Sequence, residues 1–400
     1  MPDPYIIPPE MVTQEYEKYI NKHNKWGKLS SKNLALCVGA GITQAFAGNW
    51  NELLNELAQM RVCDTFARQW GKDDMPLPNY IHDLNEYIKN HGFFSASTNV
   101  LEQGEYLLED DMDFSFLRSY SVDKKDRRSR IWPETFFAAQ VYHALEKRRN
   151  EKTGGKKIYD FFMEHINADD ISTLREVLRF CLKRRNMQVI NYNFDTILEE
   201  LLGNNNVCNA LRYSTSNLPN IEVYSYDDQP IVKLSKNRRS RDTIRIYHVH
   251  GIAYEDAQHP LQPLIFSENS YMDYQNALLN WSQLRIADIL SKNNLLCVGF
   301  SGTDSNFRNL CRMMKTLHEQ SLLGISQKHN VWLTQSYSEI KPFAAQSAGG
   351  NPYAFACFET ITNNIKEYFD NQFGITVLWS KDYSEMADRL KMIKPRHRPA

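Results

Sequence analysis

The sequence predicts an α/β fold, a doubly wound parallel sheet carrying a large helical insertion. Two observations predict it. Short apolar runs at 33–38, 187–190, 294–300, 330–333 and 374–379 alternate with segments of helical periodicity, the rhythm of β-α-β units. Several of these runs break off in glycine and small polar residues where the next helix begins. Buried strands of parallel sheets end this way when their carboxyl ends border a ligand crevice.

The elements follow in order. Residues 9–30 read as a polar helical lead-in, with Met11, Tyr16, Tyr19 and Ile20 on one face. Leu34 to Val38 form the first strand. A helical turn over 42–47 stops at Gly48, and Asn49 is placed to cap a helix from Trp50 to Met60. Its stripe of Trp50, Leu53, Leu54 and Leu57 is expected to pack on the sheet. Residues 62–185 are rich in aromatic and charged side chains. Their periodicity is helical over 78–108, 132–150, 156–166 and 170–185, with a loop at Thr153-Gly154-Gly155. No buried strand is legible there, so this stretch is the insertion.

Strand character returns at Met187 to Ile190, followed by a helix from Asp195 to Leu202. Several short strand-like pieces fill 208–250 around a basic loop at 235–241. Helices at 270–291, 304–320, 360–371 and 383–392 then alternate with the remaining strands. The expected organisation is an N-terminal helical extension over 1–32 and one nucleotide-binding domain over 33–395, interrupted at about 62–185. No internal repeat or low-complexity linker is visible.

Composition narrows the function. A chain of 400 residues with 42% hydrophobic and 24% charged content has the make-up of a globular protein and not of a disordered one. The formal net charge is −1, so no global field draws it to nucleic acid or anionic lipid. The basic runs at 124–130, 147–149 and 236–241 read as solvated surface, and direct nucleic-acid binding is not expected. The seven cysteines form no CxxC pair, so no structural zinc is expected. Cys37 and Cys297 lie inside apolar strands, where a thiol behaves as a small hydrophobe. The scattered, odd count fits a reducing compartment. The first residues lack a signal-peptide pattern, and no apolar stretch spans a bilayer. A cytoplasmic location is expected, with no membrane contact.

Four constellations carry chemistry. In Gly39-Ala40-Gly41-Ile42-Thr43, glycines after a strand let backbone approach a phosphate, with helix N–H groups facing the anion. Gln44 stands where the common dinucleotide fingerprint needs Gly or Ala, which argues against a hydride-transferring dehydrogenase. In Asn191-Tyr192-Asn193-Phe194-Asp195, amides and a carboxylate stand at the strand-to-helix transition. Asn193 suits a carboxamide, a ribose hydroxyl or an attacking water; Asp195 suits a ligand or the N-cap of the following helix. In His248-Val249-His250-Gly251, the two rings are expected on opposite faces, which does not favour one metal held by both. His250, beside Gly251, is expected open to substrate and suits general-base work at neutral pH. In Gly299-Phe300-Ser301-Gly302-Thr303-Asp304, the logic of the first loop repeats, with Ser301 or Asp304 either contacting ribose or phosphate or capping the helix.

Taken together and in this order, the four segments resemble the sirtuin-like (SIR2-like) NAD-binding family, and Trp50-Asn51-Glu52-Leu53-Leu54 resembles an element of its bacterial branch. The resemblance covers about residues 33–60 and 186–392. It implies a Rossmann-like sheet and NAD+ as substrate. The two zinc-binding CxxC pairs of the deacylases are absent, and Phe46-Ala47-Gly48-Asn49 replaces their acidic-aromatic-arginine loop. The resemblance therefore implies an NAD+ hydrolase of the antiviral-defence type. In that reading Asn193, His250 and Asp195 are catalytic: Asn193 positions the water or ribose, His250 is the base, and Asp195 holds the nicotinamide-ribose end. Gly39, Ala40, Gly41 and Thr43 cradle phosphate and ribose, while Gly299, Ser301 and Asp304 border the adenosine.

Two alternatives stand beside it: a protein deacylase or ADP-ribosyltransferase using the same pocket, and a non-catalytic subunit that binds NAD+ or ADP-ribose. The resemblance also implies a homo-oligomer with a separately encoded partner, such as a HerA-type ATPase or an Argonaute-like protein. Residues 1–32 and 62–185 are then the interfaces.

Overall fold

The computed structural model of the chain describes residues 26–29, 33–48, 52–53, 56–57, 133–184, 186–211, 218–226, 228–234, 242–253, 264–265, 280–320, 331–336 and 354–393. Among them, eight strands form one sheet: β1 (Leu34–Val38), β2 (Gln188–Asn191), β3 (Asn220–Tyr224), β4 (Pro230–Leu234), β5 (Thr243–His248), β6 (Asn294–Val298), β7 (Val331–Ser336) and β8 (Ile375–Ser380). Their order is β4-β3-β5-β2-β1-β6-β7-β8. All neighbours are parallel except β3 and β4, so the sheet is the expected doubly wound parallel one with a single antiparallel pair at its edge. The connection between those two is too short for the crossover that a parallel pair requires. Pro230 opens β4, an edge strand, where its missing N–H costs no ladder bond.

The helices are α1 (Gln44–Ala47), α2 (Pro133–Thr153), α3 (Ile158–Glu164), α4 (Ser172–Leu182), α5 (Ile197–Gly203), α6 (Asn205–Ala210), α7 (Trp281–Lys292), α8 (Ser305–Gln320), α9 (Ala354–Phe373) and α10 (Tyr383–Met392). They cover both faces of the sheet, so its central strands are apolar on both sides. On one face Leu34, Leu36, Val38, Val189 and Leu296 pack with Leu174 and Leu178 of α4, Leu198 and Leu201 of α5, and Met386 of α10. On the other, Ala35, Cys37, Leu295, Cys297 and Leu333 pack with Ile289 of α7, Phe307 and Leu310 of α8, and Phe369 of α9. Cys37 and Cys297 are buried free thiols in register with each other.

Two elements differ from the sequence reading. Helix α4 lies inside the stretch read as insertion, yet its Leu174, Val177, Leu178 and Cys181 are fully buried in the main core. It covers the sheet between β1 and β2 in the chain. Leu53 and Leu57 do not rest on strands: they pack with Val141 and Ala144 of α2 and with Phe194, Ala253 and Leu264. The expected helix at 78–108, nearly all of the lead-in over 9–30, Trp50, Leu54 and the basic runs at 124–130 and 236–241 lie outside the described residues. No described helix is long and apolar enough to cross a membrane.

Candidate functional site

Strand β1 has β2 on one side and β6 on the other. The chain therefore leaves β1 in one direction and later returns to build the sheet in the other. In open α/β sheets the crevice beyond such a switch point receives the ligand. The loops after β1, β2, β5 and β6 hold the four constellations expected from sequence.

The first and last of these loops pack on each other. Gly39 N donates to Val298 O at 3.3 Å, and Gly41 N donates to Gly299 O at 3.0 Å. A Cβ on Gly39 would stand 2.7 Å from Gly299 O, and one on Gly299, whose φ is +61°, would stand 2.7 Å from Ile42 N. These glycines thus let two backbones meet. The amides of Ile42 and Thr43 bond back to Gly39 O and Ala40 O. The N–H groups of Gly39, Gly41, Ile42 and Thr43 are all committed to carbonyls, whereas the sequence alone suggests that such groups face a phosphate.

The polar centre forms between the β1 and β2 loops. Thr43 Oγ1 donates to Asp195 Oδ2 at 3.0 Å and accepts from Asn193 Nδ2 at 3.3 Å. Thr43 and Asn193 are buried, whereas Asp195 keeps a partly exposed edge. Its Oδ1 also accepts from Ile197 N at 3.1 Å, so Asp195 supports the start of α5 from one residue before the N-cap position, which Thr196 holds. Burial of the carboxyl, and then the Glu199 charge, push its pKa up to about 6. The bonds from Ile197 and Thr43 and the charge of His248 oppose that rise.

His248 and His250 do part company, though strand alternation would have set residues two apart on one face. Strand β5 ends at His248, and the turn at 249–250 redirects the second ring. His248 Nδ1 lies 2.9 Å from Asn193 O and its Nε2 2.9 Å from Glu199 Oε1. Burial alone would lower the His248 pKa; the Glu199 carboxylate and the Asn193 carbonyl reverse this and hold it above the ordinary imidazole value.

His250 is not open as expected. It is 4% exposed, with Nε2 3.3 Å from Asp304 Oδ2 and its ring 4.7 Å from the Tyr192 ring in an edge contact. Asp304 thereby pairs with the histidine, and its other oxygen caps α8 by accepting from Phe307 N at 2.6 Å. Ser301 is exposed and bonds Thr303.

Asp195, Thr196 and Ile197 line a cavity of about 110 Å³ with Ala47, Ala253 and, from α2, Tyr142, Leu145 and Arg149. Helix α2 is anchored there by Arg148, which donates to Ala47 O at 3.0 Å and pairs with Glu52 at 2.6 Å. Arg148 is buried, so the basic run at 147–149 is not simply a solvated face. No group of three or more His, Cys, Asp or Glu side chains placed to hold a metal occurs among the described residues.

Residues 187–352 match the family model of the SIR2-like domain. SIR2-like domains are typically NAD-dependent enzymes. The match contains Asn193, Asp195, His250, Gly299, Ser301 and Asp304, while the Gly39 loop lies before it. No curated protein matches the chain.

Sequence reasoning missed three contributors: Glu199, the role of His248, and the α2 wall. A signal existed for the first. Glu199 stands four residues after Asp195, a spacing at which like charges on a helix repel, and it lies among the apolar Ile197, Leu198, Leu201 and Leu202.

Proposed function

We propose that the chain hydrolyses NAD+ to nicotinamide and ADP-ribose. The observation that carries this reading is the convergence of Thr43, Asn193 and Asp195 at the carboxyl ends of β1 and β2, the last two within the SIR2-like match. Nicotinamide leaves with the electron pair of its bond to the ribose, the ribose carbon takes on oxocarbenium character, and water adds to it. Water supplies the new hydroxyl and one proton is released, so the reaction needs no further reactant.

The Asn193 amide suits the positioning of that water or of the ribose. The carboxyl of Asp195, at the rim of the cavity, suits the nicotinamide-ribose end. His250 is the candidate base, with Asp304 placed to orient its ring and to stabilise the imidazolium that forms. Thr43, with Gly39, Ala40 and Gly41, borders phosphate and ribose; Gly299 and Ser301 border the adenosine. From the same resemblance we propose a role in anti-phage defence through NAD+ depletion, in a homo-oligomer with a separately encoded partner such as a HerA-type ATPase.

The test is chromatographic detection of nicotinamide and ADP-ribose from NAD+, using the pure chain alone and with the product of its neighbouring gene. Asn193→Ala and His250→Ala are each expected to lower turnover about 100-fold or more, the usual worth of a positioned acid–base group. Turnover that survives both substitutions overturns the site assignment. NAD+ consumption that requires an acyl-lysine peptide, or leaves ADP-ribose on protein, overturns the hydrolase reading.

A further inference from the structure

Two ionisable groups beside the site have no role in the chemistry above. The side chain of His248 is 0% exposed and that of Glu199 6%. Burying such groups is costly unless they are paired. The ring joins three elements: it sits at the end of β5, bonds the backbone of the β2 loop, and meets the carboxylate of α5. Both of its short contacts are acceptors, a carbonyl and a carboxylate oxygen, so both nitrogens must donate. Asn191 Nδ2 also approaches Nε2, at 3.5 Å, and the 2.9 Å carboxylate contact outweighs it. The charged groups facing the ring are Glu199 on α5 and Asp195 on the loop before it.

What the ring holds is Asn193. That residue is fixed three times: its N–H donates to Asn191 Oδ1 at 3.0 Å, its carbonyl takes the His248 proton, and its amide donates to Thr43. Only the carbonyl contact relies on a charged pair. The other Glu199 oxygen, Oε2, is buried with no hydrogen-bond partner among the described residues. A carboxylate half-satisfied in an apolar setting does little for folding, which leaves the imidazole as its purpose.

We infer that His248 and Glu199 are a buried positioning pair: the doubly protonated ring clamps the Asn193 carbonyl and so aims the Asn193 amide at the reacting ribose. Neither residue touches substrate. The kinetic part of the inference rests on the hydrolase reading, whereas the protonation and the clamp do not.

The experiment is run on the full chain at pH 7. Nitrogen-15 NMR of the His248 ring should show both nitrogens protonated in the wild type and one unprotonated in Glu199→Gln. The same variant should shift the Asn193 side-chain NH₂ signal. Glu199→Gln and His248→Gln should lower kcat at least fivefold with KM for NAD+ within threefold, both proteins remaining folded by thermal melting. A wild-type ring with one bare nitrogen overturns the inference. So does a kcat loss below fivefold in Glu199→Gln, or a loss carried by KM. Should His248→Gln fail to fold, Glu199→Gln and the wild-type ring decide. A wild type that turns over no NAD+ under any condition sinks the hydrolase reading instead, and the pair then stands or falls on the ring protons and the Asn193 shift.

Discussion

Thr43 holds the polar centre together with a single hydroxyl. Its proton goes to Asp195 and its lone pair takes the Asn193 amide. Valine has nearly the same shape and neither function, so Thr43→Val leaves two polar groups without their partner. We expect it to lower stability by about 1–3 kcal/mol, the cost of such orphaned groups. Thr43→Ser loses one buried methyl, about 1 kcal/mol, and keeps turnover. Urea unfolding with an NAD+ assay separates the two, and a valine variant as stable and active as wild type would mean the hydroxyl is idle. Thr43, Asn193 and His250 are legible in the sequence because polar residues at strand ends have few other reasons to be there. Asp304 is legible as a residue of interest but not in its role: it stands on His250 because the β5 and β6 loops converge across the switch point, a contact no local spacing encodes. Glu199 escapes notice because a helix carrying Glu199-Glu200 reads as solvated. Only the imidazole arriving from β5 makes its burial tolerable.

The glycine loops show how one sequence pattern can serve a purpose other than the first it suggests. Gly-Ala-Gly after a strand reads as room for a phosphate, but the space over Gly39 is filled by the backbone of the loop after β6. Backbone cannot step aside as a flexible side chain can. Gly39→Ala is therefore expected to cost about 1–3 kcal/mol through overpacking. Gly154, in the turn after α2, has φ +62°, and a methyl group added there would meet nothing within 4 Å. Gly154→Ala should then cost only the left-handed conformation, about 1 kcal/mol. Chemical denaturation of both variants compares them, and a Gly39→Ala protein within 0.5 kcal/mol of wild type, on the order of the error of such comparisons, would refute the loop-on-loop account. Helices α2 and α4 are both visible as periodicity, but not their separate fates. One lines the cavity beside Asp195 and the other seals the sheet, and where each helix docks depends on partners far away in sequence.

The doubly wound sheet is legible because apolar runs and helical periods alternate along the chain on either side of residues 62–185. The antiparallel β3–β4 edge is not, since short strand-like pieces carry no direction. This architecture buries a carboxylate at its switch point, and the consequence is a pH dependence of the whole molecule's stability. The pKa of Asp195 rises from its ordinary 3.8 to about 6 in the folded chain. Between those values the folded protein binds a proton that the unfolded one has released, so stability falls as pH rises through the window. Below it both states are protonated and the penalty is absent; above it both are ionised and the penalty is complete. Its upper bound is about 3 kcal/mol, and the partly exposed edge of the carboxyl reduces it. His248, held above its ordinary value, contributes stability that is full at acid pH and fades only above about pH 6.5, outside this window. Unfolding free energies of wild type and Asp195→Asn, measured from about pH 4 to 6.5, cancel in their difference the titrations that Asp195 does not touch, leaving its own and its coupling to Glu199 and His248. The wild type should lose about 1–3 kcal/mol relative to the variant across that range. A flat difference would mean that Asp195 is ionised throughout, and the carboxyl at the rim of the cavity would then meet any ligand as a full charge even in mild acid.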